Sequence, residues 1–420
     1  MKFNSNHISS LFKESKFNQA IEYLDIFLKQ DKNNSNYYFL KGFAYLSLND
    51  LSSAIENLSF AINLKTENSM YFFYRGLAYF KLNKFDKAKS DYNKAISLNP
   101  SSPEFYNNLA QINYTIGENE LAIENFKKSF NLDNKLKPSI LGLINTLSQT
   151  ENIKSNDSEI ISVHNKLNKI NFEYSANKHI KDLDIKEFLK KINTIVSDEI
   201  GKLNFNMTQT FREQKTPPNC SRHHKMFNTY NAIPKFCFGC YKVQIDLENV
   251  IDLIKLYLVF DKVNFQNDNI RKCMIELRPN IKGKYKGLIF CTSIEEAEGI
   301  LNMLKEILNK NFNRNFECKI KRGCSEYGIK HPNYDSLKDD AMTYNSDWKK
   351  YEKSTDEKYP ELVFNKLARP TLKGVTLFDA LVIRNWLAYA KLIGDETHKN
   401  ISDQIFSSNF VEQKLKLRNS

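Results

Sequence analysis

Apolar positions in the first third of the chain repeat with a long period rather than a short one. Small residues recur every 34 positions at Ala20, Ala54, Ala88 and Ala122, again at Gly42, Gly76 and Ala110, and again at Ala61, Ala95 and Ser129. Large residues keep step: Leu24, Leu58, Tyr92 and Phe126, with Tyr45 and Tyr79. Between them lie turn signals at Asn49-Asp50, Asn83-Lys84 and Gly117-Glu118. Each unit therefore predicts two helices and a tight turn. The small residues belong where helices cross closely, and the large ones fill the space between hairpins.

The run Tyr71-Phe-Phe-Tyr-Arg-Gly-Leu-Ala-Tyr79, followed by Ala88, Tyr92, Ala95 and Pro100, closely resembles a tetratricopeptide repeat unit. The resemblance covers about residues 1–135, three good repeats and a degenerate first one, with a capping helix expected from Pro138 to about Gln149. It implies an α-solenoid whose inner helices line a groove for a protein or peptide. By register the groove residues are Phe39, Phe43, Phe73, Leu77, Phe80, Asn107, Gln111 and Tyr114. Phe39, Phe43 and Phe73 stand where some members place a carboxylate clamp, so the groove favours apolar anchors. The alternative is that these rings pack against the chain itself.

Beyond the repeats the pattern changes. Residues 150–158 read as a polar linker, and two helical patterns follow between Glu159 and Lys202. Lys215-Thr-Pro-Pro-Asn219 breaks any helix. Tyr241–Asp246, Arg271–Arg278, Tyr285–Thr292 and Phe316–Lys321 then read as strands, with helices at Leu247–Lys262 and Ile294–Asn309. That order is βαββαβ, a ferredoxin-like arrangement. We expect strand order 4-1-3-2, with the first and third strands parallel. An apolar helix at Ala380–Leu392 and a frayed tail after Thr397 complete the reading. The expected fold is multidomain, α and α+β: a solenoid over 1–150, a helical linker region over 151–215, a zinc-binding ferredoxin-like domain over 216–335, and a helical extension over 336–420.

Candidate chemistry gathers at the start of the α+β region. Cys220-x2-His223 and Cys237-x2-Cys240 form two half-sites suited to one tetrahedral zinc, in a zinc-knuckle-like cluster. His224, Cys324 and His331 are alternative ligands, and buried apolar cysteines or a redox dithiol are the bland readings. The expected topology brings Cys324, Glu326, Arg278 and Arg322 to the same sheet rim, with Tyr285; these are the candidate catalytic residues. The segment from Lys286 is similar to the third strand of an RNA-recognition motif, but Leu288 occupies the base-stacking position, which weighs against RNA.

Composition adds little. The net charge of +12 is spread along the chain, which permits nucleic acid as a partner without pointing to it. Seven cysteines, none in the first half, fit a reducing cytoplasmic setting better than a disulfide framework. No run is long enough to span a membrane, and no phosphate loop, dinucleotide fingerprint or metalloprotease helix is present. An adaptor is the first reading, and an enzyme at the Cys324/Arg278 rim and an RNA-binding protein are the alternatives.

Overall fold

The computed structural model describes residues 3–419 apart from 152, 154–157, 173–178, 197–199, 201–202, 204, 214–217, 364–369 and 405. Most of the expected 150–158 linker and three residues of the 215–219 breaker therefore lie outside the described residues. The contacts divide the chain into two units, Met1–Leu143 with Glu352–Leu367, and Ile144–Tyr351 with Ala368–Ser420. Among the described residues no helix is long and apolar enough to cross a membrane.

In the first unit, helices pair as Ser5–Lys13 with Phe17–Gln30, Ser35–Ser47 with Leu51–Leu64, Ser69–Lys81 with Phe85–Leu98, and Pro103–Ile116 with Asn119–Leu132. Helix Lys137–Leu147 follows at the place expected for a cap. Ala20, Ala54, Ala88 and Ala122 are all fully buried, as are Ala61, Ala95 and Ser129. The reason for small residues is direct at Gly76, where a Cβ would sit 2.8 Å from the Tyr92 ring. Asn49 and Asn83 turn the chain with φ of 62° and 57°, a conformation asparagine tolerates better than most residues. Their side-chain amides also donate to the carbonyls of Lys358 and Pro360, the latter at 2.8 Å. A segment far downstream thus belongs to the repeat unit, which the sequence pattern does not announce.

The second unit is built on a five-stranded sheet. Its strands are β1 (Gln209–Arg212), β2 (Tyr241–Leu247), β3 (Arg271–Ile275), β4 (Tyr285–Cys291) and β5 (Glu317–Arg322), in the order β1-β3-β4-β2-β5. The four expected strands keep the anticipated order, but every neighbouring pair is antiparallel, β2 with β4 included. The expectation of a parallel pair is corrected by the helical connection Val250–Lys262, which returns β3 parallel to β2. The β3–β4 connection then reverses the chain, so β4 inserts beside β2 running the opposite way. β1, an added edge strand, was not anticipated.

One sheet face carries Val243, Ile245, Cys273, Ile275 and Ile289, all buried. Helix Val250–Lys262 presses so closely here that a Cβ on Gly287 would meet Leu256 at 2.3 Å. Helix Leu377–Leu392 is buried along most of its length, and Trp386 donates to the Thr208 carbonyl at 2.9 Å. Near it the Arg212 guanidinium is buried with Asp261 at 2.6 Å, Asp379 at 3.2 Å and the Tyr257 hydroxyl at 2.8 Å. The tail does not fray as expected. Helix Asn409–Asn419 is tied down by Arg418, which donates to Ile281 and Gly283 carbonyls at 3.1 and 3.0 Å.

Candidate functional site

Strand alternation puts Lys242 and Gln244 of β2, Lys272 of β3, Lys286, Leu288 and Phe290 of β4, and Lys321 of β5 on the face opposite the helices. They line a cavity of about 400 Å³, closed at its sides by Phe211, Cys220, His224, Arg278, Cys324 and Glu326. Helix Cys220–Tyr230 contributes Cys220 and His224, one helical turn apart and so on one side of it. His223 turns elsewhere, buried and stacked on Phe236 at 5.1 Å between centroids.

The sequence expectation that Cys324 returns to the Cys237–Cys240 turn holds. Tyr241 pairs with Arg322, and the Gly323 N–H donates to the Cys240 carbonyl at 2.7 Å. Gly323 is required here: its φ is +56°, and a Cβ would collide with the Tyr334 hydroxyl at 1.7 Å. That hydroxyl donates to the Cys237 carbonyl at 2.8 Å. Helix Ser325–Lys330 then sets Glu326 over the cavity.

The shared rim is only partly as expected. Tyr285 pairs with Leu247 and Ile275, at the end of the sheet opposite Tyr241, and its hydroxyl bonds to Asp395 at 2.6 Å. The antiparallel register puts it there. Arg278 reaches across the open face instead, pairing with Glu276 at 2.6 Å and Glu326 at 2.7 Å. Arg322 turns away to the Tyr334 carbonyl at 2.7 Å. The candidate cluster is thus a cavity over a sheet face rather than a rim.

Cys237 feels the charges of Cys220, Cys240 and Cys324, Cys240 feels those of Cys220 and Cys324, and Cys220 that of Cys324. Burial pushes Cys220 and Cys237 up, and Cys240 up to about 11. Cys324 differs: burial opposes ionisation, but a hydrogen bond from His224 and the charge of Lys242 bring it down to about 7. Lys242 Nζ lies 3.4 Å from its sulfur. Among the described residues no group of three or more His, Cys, Asp or Glu side chains is arranged as a ready metal-ligand set.

In the repeat unit, the expected groove residues Phe39, Phe43, Phe73, Leu77, Phe80, Asn107, Gln111 and Tyr114 are all half-buried. Phe39 meets Tyr71 at 5.0 Å, Phe43 meets Tyr74 at 5.1 Å, and Phe73 meets Phe105 at 5.0 Å between centroids. Asn107 accepts from the Ser139 hydroxyl at 3.2 Å. These side chains divide their surface between neighbouring hairpins and the open face.

Stacked hairpins with this spacing define a tetratricopeptide repeat region, a protein-interaction scaffold. Tetratricopeptide repeat family profiles match residues 6–58, 76–117 and 103–136. A crystal structure of MamA is 22% identical with TM-score 0.32, covering 35% of this chain and 84% of that one. A thermophilic tetratricopeptide protein of Thermus thermophilus is 20% identical with TM-score 0.31, covering 33% and 77%. The first such domain of Spaghetti, bound to an HSP90 peptide, is 23% identical with TM-score 0.27, covering 28% and 92%. No curated protein matches the chain.

Proposed function

We propose that this protein is an adaptor: its repeats hold a protein or peptide in the groove around Phe39, Phe43, Phe73, Leu77 and Phe80, and its α+β unit is a zinc-stabilised second module. The convergence of Cys220, Cys237, Cys240 and Cys324 from three distant segments carries the zinc reading. Crowded, buried thiols resist ionisation, and a bound dication removes that resistance by favouring thiolate. His224 stands beside this set and His223 outside it, so the donors are chiefly sulfur. Binding requires the sulfurs to close by side-chain rotation.

Metal analysis of the purified chain tests this reading. One zinc per chain is expected, lost in Cys237→Ser and Cys240→Ser, and a chelator should melt the second unit while the repeats stay helical. A metal-free chain with an unchanged melting profile overturns it. The groove is tested separately by capturing a helical peptide library with wild type and Phe80→Ala.

One observation favours a second reading, an enzyme with Cys324 as nucleophile: its sulfur opens on a cavity beside both Lys242 and His224. Iodoacetamide labelling of Cys324 faster than a free thiol supports it, and complete inertness removes it.

A further inference from the structure

The open face of the sheet carries Lys242, Lys272, Lys286, Lys321 and Arg278 against the carboxylates Glu213 and Glu326 in the cavity wall and the buried Glu276. Lys286 is paired with Glu276 at 2.8 Å, and Arg278 with Glu276 and Glu326. Lys242 faces the Cys324 sulfur. Lys321 donates to the neutral Ser325 hydroxyl and, among the described residues, makes no ion pair, Asp335 and Cys324 acting on it only from further away. Lys272 makes no hydrogen bond or ion pair among the described residues, its ammonium lying 5.5 Å over the Phe211 ring. In the β2–β5 register Lys242 stands directly opposite Lys321, a like-charge pair that destabilises a sheet unless something lies between.

We propose that this cavity is an anion site for a phosphate-bearing small molecule, held by Lys272 and Lys321 with Arg278 at its edge. The volume of about 400 Å³ suits such a group. A second cavity of about 780 Å³ shares Pro218, Ile270 and Phe290 with the first and adds Phe236, Asn267 and Asn269. It accommodates the uncharged part of the ligand. Burial, with the charges of Lys242 and Arg278, pushes Lys272 down to about 8, and burial with Lys242 does the same for Lys321. A bound anion relieves both.

This goes beyond the zinc reading and takes none of its ligands, although Cys220 and Cys324 line the same cavity. A zinc-bound Cys324 would answer Lys242 at contact, whereas Lys272 and Lys321 feel its charge without a hydrogen bond to it.

The experiment is calorimetric titration of the full chain with inorganic phosphate and with phenyl phosphate, in low salt, with zinc quantified in every sample. Phenyl phosphate should bind more tightly than phosphate. Lys272→Met and Lys321→Met should each weaken both by about tenfold, the loss of roughly one charge-assisted contact. Lys272→Arg should retain binding, and the exposed control Lys399→Met should match wild type. Equal binding by wild type and the Lys272→Met/Lys321→Met double variant, with melting intact, overturns the proposal, as does no binding by folded wild type. Phosphate binding in a zinc-free sample sinks the zinc reading alone.

Discussion

The two units solve the same problem of burying a core with opposite economies. In the repeats, Ala54, Ala88 and Ala122 do one job three times, so each contact is local and replaceable. In the α+β unit single polar residues each do a job done nowhere else. Arg212 ties β1 to helices Val250–Lys262 and Leu377–Leu392, and Glu276, with no exposed surface, holds Lys286 and Arg278. Distributed apolar contacts tolerate damage, whereas a buried charge network does not. The contrast predicts where mutations act.

The largest effect should come from Arg212→Met. It leaves Asp261 and Asp379 buried without their cation, a situation that costs about 3–5 kcal/mol. Calorimetry should show the transition of the second unit lowered or lost, with the repeat transition unmoved. A simultaneous loss of both transitions would break the comparison, because the units would then not unfold separately.

Next is Gly76→Val in the repeats. The branched side chain meets Tyr92, whose ring is fully buried, and overpacking of this kind costs about 1–3 kcal/mol. Hydrogen exchange should quicken in hairpins Ser69–Lys81/Phe85–Leu98 and their neighbours, fading with distance. A uniform loss of protection across the repeats would contradict nearest-neighbour stability.

The same contrast explains what was legible in the sequence. A 34-residue period states the repeats several times over, and the βαββαβ succession was enough to order four strands. The Cys237–Cys324 approach followed from that order. Strand direction did not, because order alone is compatible with either sense and the helical crossover from β2 to β3 decides it. β1 is illegible because its burial alternates but its buried positions, Thr210 and Arg212, are polar and leave no apolar pattern. His224 was not separable from His223 without knowing that Cys220 opens a helix, which sets i and i+4 on one side. The cavity lysines were hardest. Lysine in a strand usually marks a solvated face, and Lys242, Lys272 and Lys321 stand far apart in sequence. Their one visible signal was position: each sits on the strand face opposite the apolar one.

The smallest expected effect is the sharpest test of that face, because its sign runs against intuition. Lys272 is held down to about 8 by burial and by Lys242 and Arg278, against an ordinary value of 10.5. Above pH 10.5 the side chain is neutral in both folded and unfolded chains, and it costs nothing. As the pH falls from 10.5 towards 8, the unfolded chain takes up the proton first, so folding weakens. Below pH 8 the full penalty applies. Lys272→Met should therefore stabilise the second unit at pH 7 in phosphate-free buffer. The gain should be about 1 kcal/mol after allowing for solvent in the cavity, or about 2–4 °C in melting temperature. The gain should shrink between pH 8 and 10.5 and vanish above it. Adding phosphate at pH 7 should narrow the difference by stabilising wild type more than the variant. A variant less stable than wild type at every pH would mean that Lys272 is answered by an internal partner, and the cavity would lose its claim to an anion.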